Sequence, residues 1–126
     1  MTAIQILTDF RQGLISFFDE LIEQFPKEGD LIVLRIFIGD QVPILDIMNT
    51  FIARLLPLRE MVKARDEKFF LENDILFQKL NPNKVSYFKQ LWMSDELDAE
   101  DRMVIWQWFD SFIILSERYR GAAGRL

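Results

Sequence analysis

The chain has 126 residues, half of them hydrophobic, and a net charge of −5. That length suits one domain with a single core and no help from metals or disulfides, and the apolar share excludes a disordered chain. With no histidine and no cysteine, but twelve phenylalanines and three tryptophans, the composition removes the usual zinc ligands and most nucleophile–base pairs and points to burial and contact.

The apolar spacing is helical nearly throughout. Residues 3–25 read as one amphipathic helix, with Leu7, Phe10, Leu14, Phe18, Leu21 and Phe25 on one side and Asp9, Gln12, Ser16, Asp19, Glu20 and Glu23 on the other. Pro26 ends it, because the residue before a proline is pushed out of helical geometry. Gly29 and Asp30 read as a turn and N-cap. The apolar run Leu31–Ile38 suits either a buried strand or a buried helix. A short buried helix ending at Gly39 is favoured, since no second strand exists to pair its backbone groups.

Pro43 fits the first turn of the next helix, whose apolar face is Ile44, Ile47, Met48, Phe51, Ile52, Leu55 and Leu56. Pro57 falls within the pattern and should kink or split it, turning the segment from Arg59 to Lys68 away from the Phe51 and Leu55 face. Residues 67–80 read as two helical pieces broken near Glu72, Asn73 and Asp74. Asn81-Pro82-Asn83 is a turn leading into a helix with Val85, Phe88, Leu91 and Trp92 on its apolar side. Asp98 is a suitable N-cap for the last helix, and the acids behind it suit the positive end of the helix dipole. That helix is expected to reach Arg120. Its stripe centres on Ile105, with Trp106 and Ile113 at the margins and Met103 and Ile114 nearly opposite. Such a helix is either central to the core or covered on its second face by a partner.

Little in the chain supports catalysis or metal binding. The acidic stretch Ser94–Asp101 lacks the ligand alternation of a calcium loop and reads as capping. The serines lie in or beside predicted helices, with no nucleophile elbow, and the glycines form no phosphate loop. No catalytic residue, cofactor or metal is assigned. Arg11 and Arg35 lie in apolar surroundings, and Arg35 suits a buried structural ion pair. The basic segment Arg54, Arg59, Lys63, Arg65 and Lys68 is a candidate patch for a phosphate or an acidic partner. Its simpler explanation is a solvated face paired with Glu60, Asp66 and Glu67. The acidic net charge and the lack of Lys or Arg among the aromatics argue against nucleic acid. The first residues lack a basic region and an unbroken apolar stretch, so no signal peptide is expected. The longest apolar run is too short to span a bilayer.

Three segments carry a resemblance: Asp40 to Asp46; Leu56 to Leu58 continuing through Arg65 to Phe77; and Phe88 to Trp92 followed by Ile105 to Phe112. Together they resemble a group of small proteins encoded by nucleocytoplasmic large DNA viruses, over about residues 15–120. The group has no established activity, so no site residues carry over. The resemblance implies a viral protein made in the infected cytoplasm or virus factory, with packaging in the particle as a further expectation.

The expected fold is a single all-α domain of five to seven helices with the last helix near its centre, and ends frayed over residues 1–3 and 121–126. The expected role is non-enzymatic, as a virion component or assembly factor that binds protein, including a second copy of itself. Met103, Gln107, Ile114 and Arg118 are the candidate interface. The alternative is a regulator of a host pathway with a Bcl-2-like helix-binding groove, although the chain is short for that fold and lacks an Asn-Trp-Gly-Arg sequence. A nucleic-acid role through residues 54–68 ranks third.

Overall fold

A computed structural model describes residues 2–72, 90, 92–94 and 97–123. Helix α1 spans Ala3–Gln24, α2 Gly29–Ile36, α3 Ile44–Arg54, α4 Arg59–Lys63, α5 Glu67–Glu72 and α6 Ala99–Ala123. A π-helical turn, Phe37–Gln41, extends α2, and a 3-10 turn, Leu56–Leu58, joins α3 to α4. Among the described residues there is no strand, and the fold is all-α. The turn expected at Asn81-Pro82-Asn83 and the helix through Val85 and Phe88 lie outside the described residues, as does the second piece expected after Glu72.

Helix α1 opens with a capping box. Thr2 Oγ1 accepts from the Gln5 backbone N–H at 3.2 Å, and Gln5 Oε1 accepts from that of Thr2 at 3.0 Å. The helix closes at Phe25, just before Pro26, as the proline rule requires. Its buried face is turned from the expected one: Ile6 and Phe17 are buried with Phe10 and Leu14, whereas Leu7, Phe18 and Leu21 are only half-buried. The α1 stripe is wide enough to be centred in two ways, and the position of α6 selects one.

Helices α1 and α6 pack along each other, and α2 folds back on α1. Helices α3 and α4, with the 3-10 turn between them, pack on α6. The core is aromatic at its centre. Phe10, Phe51 and Phe112 meet edge-to-face with ring centroids 5.0–5.8 Å apart, and Phe17 stacks on Phe112 at 5.8 Å. Met48, Val62 and Ser116 are fully buried beside them. The Ser116 hydroxyl donates to the Phe112 carbonyl at 2.7 Å, which satisfies it without any other partner. A second cluster, Phe25, Leu31 and Leu97, closes the end where α1 stops and α6 starts.

The segment 31–38 is helical, but it is not a buried helix. Leu31 is buried, whereas Ile32, Val33 and Ile36 are 41%, 55% and 45% exposed. Helix α2 packs chiefly on α1, with Leu31 also meeting Leu97, so one side of α2 is covered. The helix also runs past Gly39 as the π-helical turn, whose Gly39 carbonyl accepts from the Arg11 guanidinium. Arg35 does find a carboxylate, Asp19, but the pair is at the surface, with side chains 39% and 53% exposed.

Pro57 breaks the helix as expected. Helix α3 ends at Arg54, and the chain restarts as α4 at Arg59. The break does not take the segment off the core, because Val62 is buried in the same cluster as Leu55, against which Phe51 also packs. Helix α4 ends in a Schellman motif: Asp66 N–H donates to the Met61 carbonyl and Arg65 N–H to the Val62 carbonyl, both at 3.0 Å. Arg65, with φ of 55°, occupies the left-handed position that glycine usually fills.

Helix α6 is capped as expected. Asp98 Oδ1 accepts from the Asp101 N–H at 2.8 Å, and Asp101 Oδ2 accepts from the Asp98 N–H at 3.3 Å. Its C-terminus lies beyond Arg120, at Ala123, because Ala122 packs against the core. The buried side is displaced from Ile105 toward Phe109, so Trp106 and Ile113, expected at the margins, are buried. The helix touches α1, α3, the 3-10 turn and α4, yet one face remains open. It is the hub of the packing but is not surrounded.

Candidate functional site

The open face of α6 carries the residues expected at an interface. Met103 and Ile114 are 45% and 47% exposed, and Gln107 and Arg118 are exposed between and beyond them. Positions 103, 107, 114 and 118 lie on one side because their spacings, at 100° per residue, return to nearly the same direction. The core therefore covers one side of α6 and leaves an apolar pair on the opposite side. Val104, at 40% exposed, extends this surface toward α1.

The structure does not assemble the five basic residues into one patch. Arg65 turns inward and holds Asp110 of α6 through two parallel hydrogen bonds of 2.8 and 2.7 Å. Its Nη1 also donates to the Val62 carbonyl at 3.0 Å, and the guanidinium lies 5.8 Å from the centroid of the Trp106 ring. The hydrogen bonds to Asp110 raise the Arg65 pKa further, against the opposing effect of burial. Arg59 sits between Glu117 at 3.7 Å and Glu60 at 3.9 Å. Arg54 is half-buried and engaged. Lys63 and Lys68 are exposed, but the left-handed turn at Arg65 separates them. The segment thus ties α4 to α6 rather than presenting a phosphate cradle. Local spacing pointed to Glu60, Asp66 and Glu67 as partners. The strongest partner, Asp110, is 45 residues away, and nothing in the local sequence signals it.

A groove, whose position the sequence did not indicate, runs between the C-terminal half of α1 and the N-terminal half of α6. It encloses about 390 Å³. Phe17, Leu21, Leu97, Val104, Ile105 and Trp108 form its apolar lining, and Glu20, Glu23 and Asp101 supply carboxylates. Trp108 Nε1 donates to Glu20 Oε2 at 2.7 Å across the groove, and Gln24 reaches Asp101 at 3.4 Å. Apolar walls with an acidic rim suit a helix or strand bearing basic residues. The sequence signal was present in the acidic outer residues of α1 and the wide stripe of α6. Their juxtaposition was not, because it depends on how the two helices lie against each other.

Among the described residues, no three carboxylate, histidine or cysteine side chains converge in a metal-binding group, and no helix is long and apolar enough to cross a membrane. Comparison with protein-family models, with curated proteins and with solved structures finds no match.

Proposed function

We propose that this is a non-enzymatic viral protein that acts by protein–protein contact, as a virion component or assembly factor. The supporting observation is the open side of α6. Met103 and Ile114 are about half exposed on a helix whose other side holds the aromatic core together. A helix with a deeply buried side and large apolar residues exposed on its other side has a surface left over from folding. The viral setting comes from the residue resemblance over about positions 15–120.

The test compares tagged wild-type protein with Ile114→Asp, both purified from infected cells. The expected result is that the wild type brings down particle structural proteins and the variant does not. Circular dichroism of the two should match, because Ile114 lies outside the core and its carboxylate would remain in water. Recovery of the same particle proteins by both variants would sink this role for the α6 face.

The groove supports a second reading, a regulator that binds a helix from a host protein. The acidic rim of Glu20, Glu23 and Asp101 specifies a basic amphipathic segment. Titrating such a peptide should change Trp108 fluorescence, and Glu23→Lys should weaken binding about three- to tenfold by replacing attraction with repulsion. An acidic peptide with the same apolar face that bound equally well would exclude the groove as a selective site.

A further inference from the structure

The open side of α6 has an order that Met103 and Ile114 alone do not reveal. Glu100, Met103, Gln107, Ser111, Ile114 and Arg118 are all exposed. At 100° per residue they fall within an arc of about 80°. Read from the two ends inward, the row runs acid and base, apolar and apolar, polar and polar. It is a palindrome in chemistry, centred near Phe109.

We infer that this row is the self-complementary seam of an antiparallel homodimer, in which α6 of one copy lies across α6 of a second. This rests on the contact role proposed above and names its partner. A two-fold axis near position 109 would place Glu100 against the partner's Arg118, and Arg118 against the partner's Glu100. Met103 would meet the partner's Ile114, and Gln107 the partner's Ser111, each to within one residue of register. Two-fold contacts require such self-complementarity, since the same patch serves both sides.

Charge selects the direction. A parallel pairing would set Glu100 on Glu100 and Arg118 on Arg118, repelling at both ends. The antiparallel pairing turns both ends attractive. Ion pairing agrees with this assignment. The carboxylates flanking the row, Asp110 and Glu117, are already held by Arg65, just after α4, and by Arg59 of α4. They mark the boundary of the seam on that side, whereas Glu100 and Arg118 lie in the row itself. The two apolar pairs are few, so the dimer should be concentration-dependent rather than obligate.

The experiment is sedimentation velocity of the full chain over a concentration series. Glu100→Arg and Arg118→Glu should each weaken self-association about fivefold, because each converts both end pairs into like charges. Mixing the two variants in equal amounts should restore association as a heterodimer, since both end pairs are then of opposite sign. The double variant E100R/R118E should also regain it. Circular dichroism controls for folding.

A wild type that stays monomeric throughout, or single variants that associate normally, would overturn the inference. So would weakened single variants that fail to recover on mixing. If Ile114→Asp abolishes association while the charge variants leave it untouched, the contact role of this face stands and the antiparallel seam is wrong.

Discussion

Helices α1 and α6 share one core but differ on their outer sides. Inside, they contribute equivalent aromatics: Phe10 and Phe112 are 0% and 1% exposed, and their rings lie 5.8 Å apart. Outside, α1 carries Asp9, Gln12, Ser16 and Glu23 along its length, with an exposed Ile4 in its first turn. Helix α6 carries Met103 and Ile114. Folding accounts for the inner side of both helices. It does not account for apolar residues left in water on α6, and that remainder is where contact is proposed.

The sharpest way to break this comparison is to remove an inner ring. Phe10→Ala and Phe112→Ala should each cost about 3–5 kcal/mol, from lost burial and the cavity left behind. On the outer side, Ile114→Ala should change monomer stability by less than about 0.5 kcal/mol. Urea unfolding at a concentration low enough to keep the chain monomeric measures all three. A large loss from Ile114→Ala would mean that the open side of α6 is part of the core after all.

The two helices are also tied down differently. Asp110 of α6, its side chain 35% exposed, is held by a two-pronged pair with Arg65, 29% exposed. Asp19 of α1 pairs with Arg35 in a more exposed setting. Asp110→Ala should therefore cost about 1–2 kcal/mol, and Asp19→Ala no more than about 0.5 kcal/mol. Arg65 adds a separate check. Arg65→Gly should be less costly than Arg65→Ala, by about 1 kcal/mol, because glycine adopts the left-handed conformation without strain. Equal losses would show that the backbone conformation at this position carries no cost.

A small effect of opposite sign is expected where the helices approach closely. A Cβ added at Gly13 would lie 3.4 Å from a Phe112 ring carbon and 3.8 Å from a Trp108 ring carbon. Those are tolerable contacts, and alanine favours a helix interior over glycine. Gly13→Ala should stabilise the chain by about 0.5 kcal/mol. A loss of more than about 1 kcal/mol would show that α1 and α6 need glycine to approach each other.

Apolar period, proline positions and capping residues together determined the helices. The stop before Pro26, the break at Pro57 and the Asp98 cap follow from backbone geometry within a few residues, so they were legible without a fold. The open side of α6 was legible in part, because Met103 and Ile114 face away from the stripe whatever packs on it. Tertiary structure decided what local spacing could not. It chose Ile6 and Phe17 over Leu7 and Phe18, left Ile32, Val33 and Ile36 of α2 in water, and drew Arg65 out of the basic segment onto Asp110. It also set α1 beside α6 so that a groove opened between them. Each of these depends on residues far apart in the chain meeting at a distance, and burial is a property of that meeting rather than of any one segment.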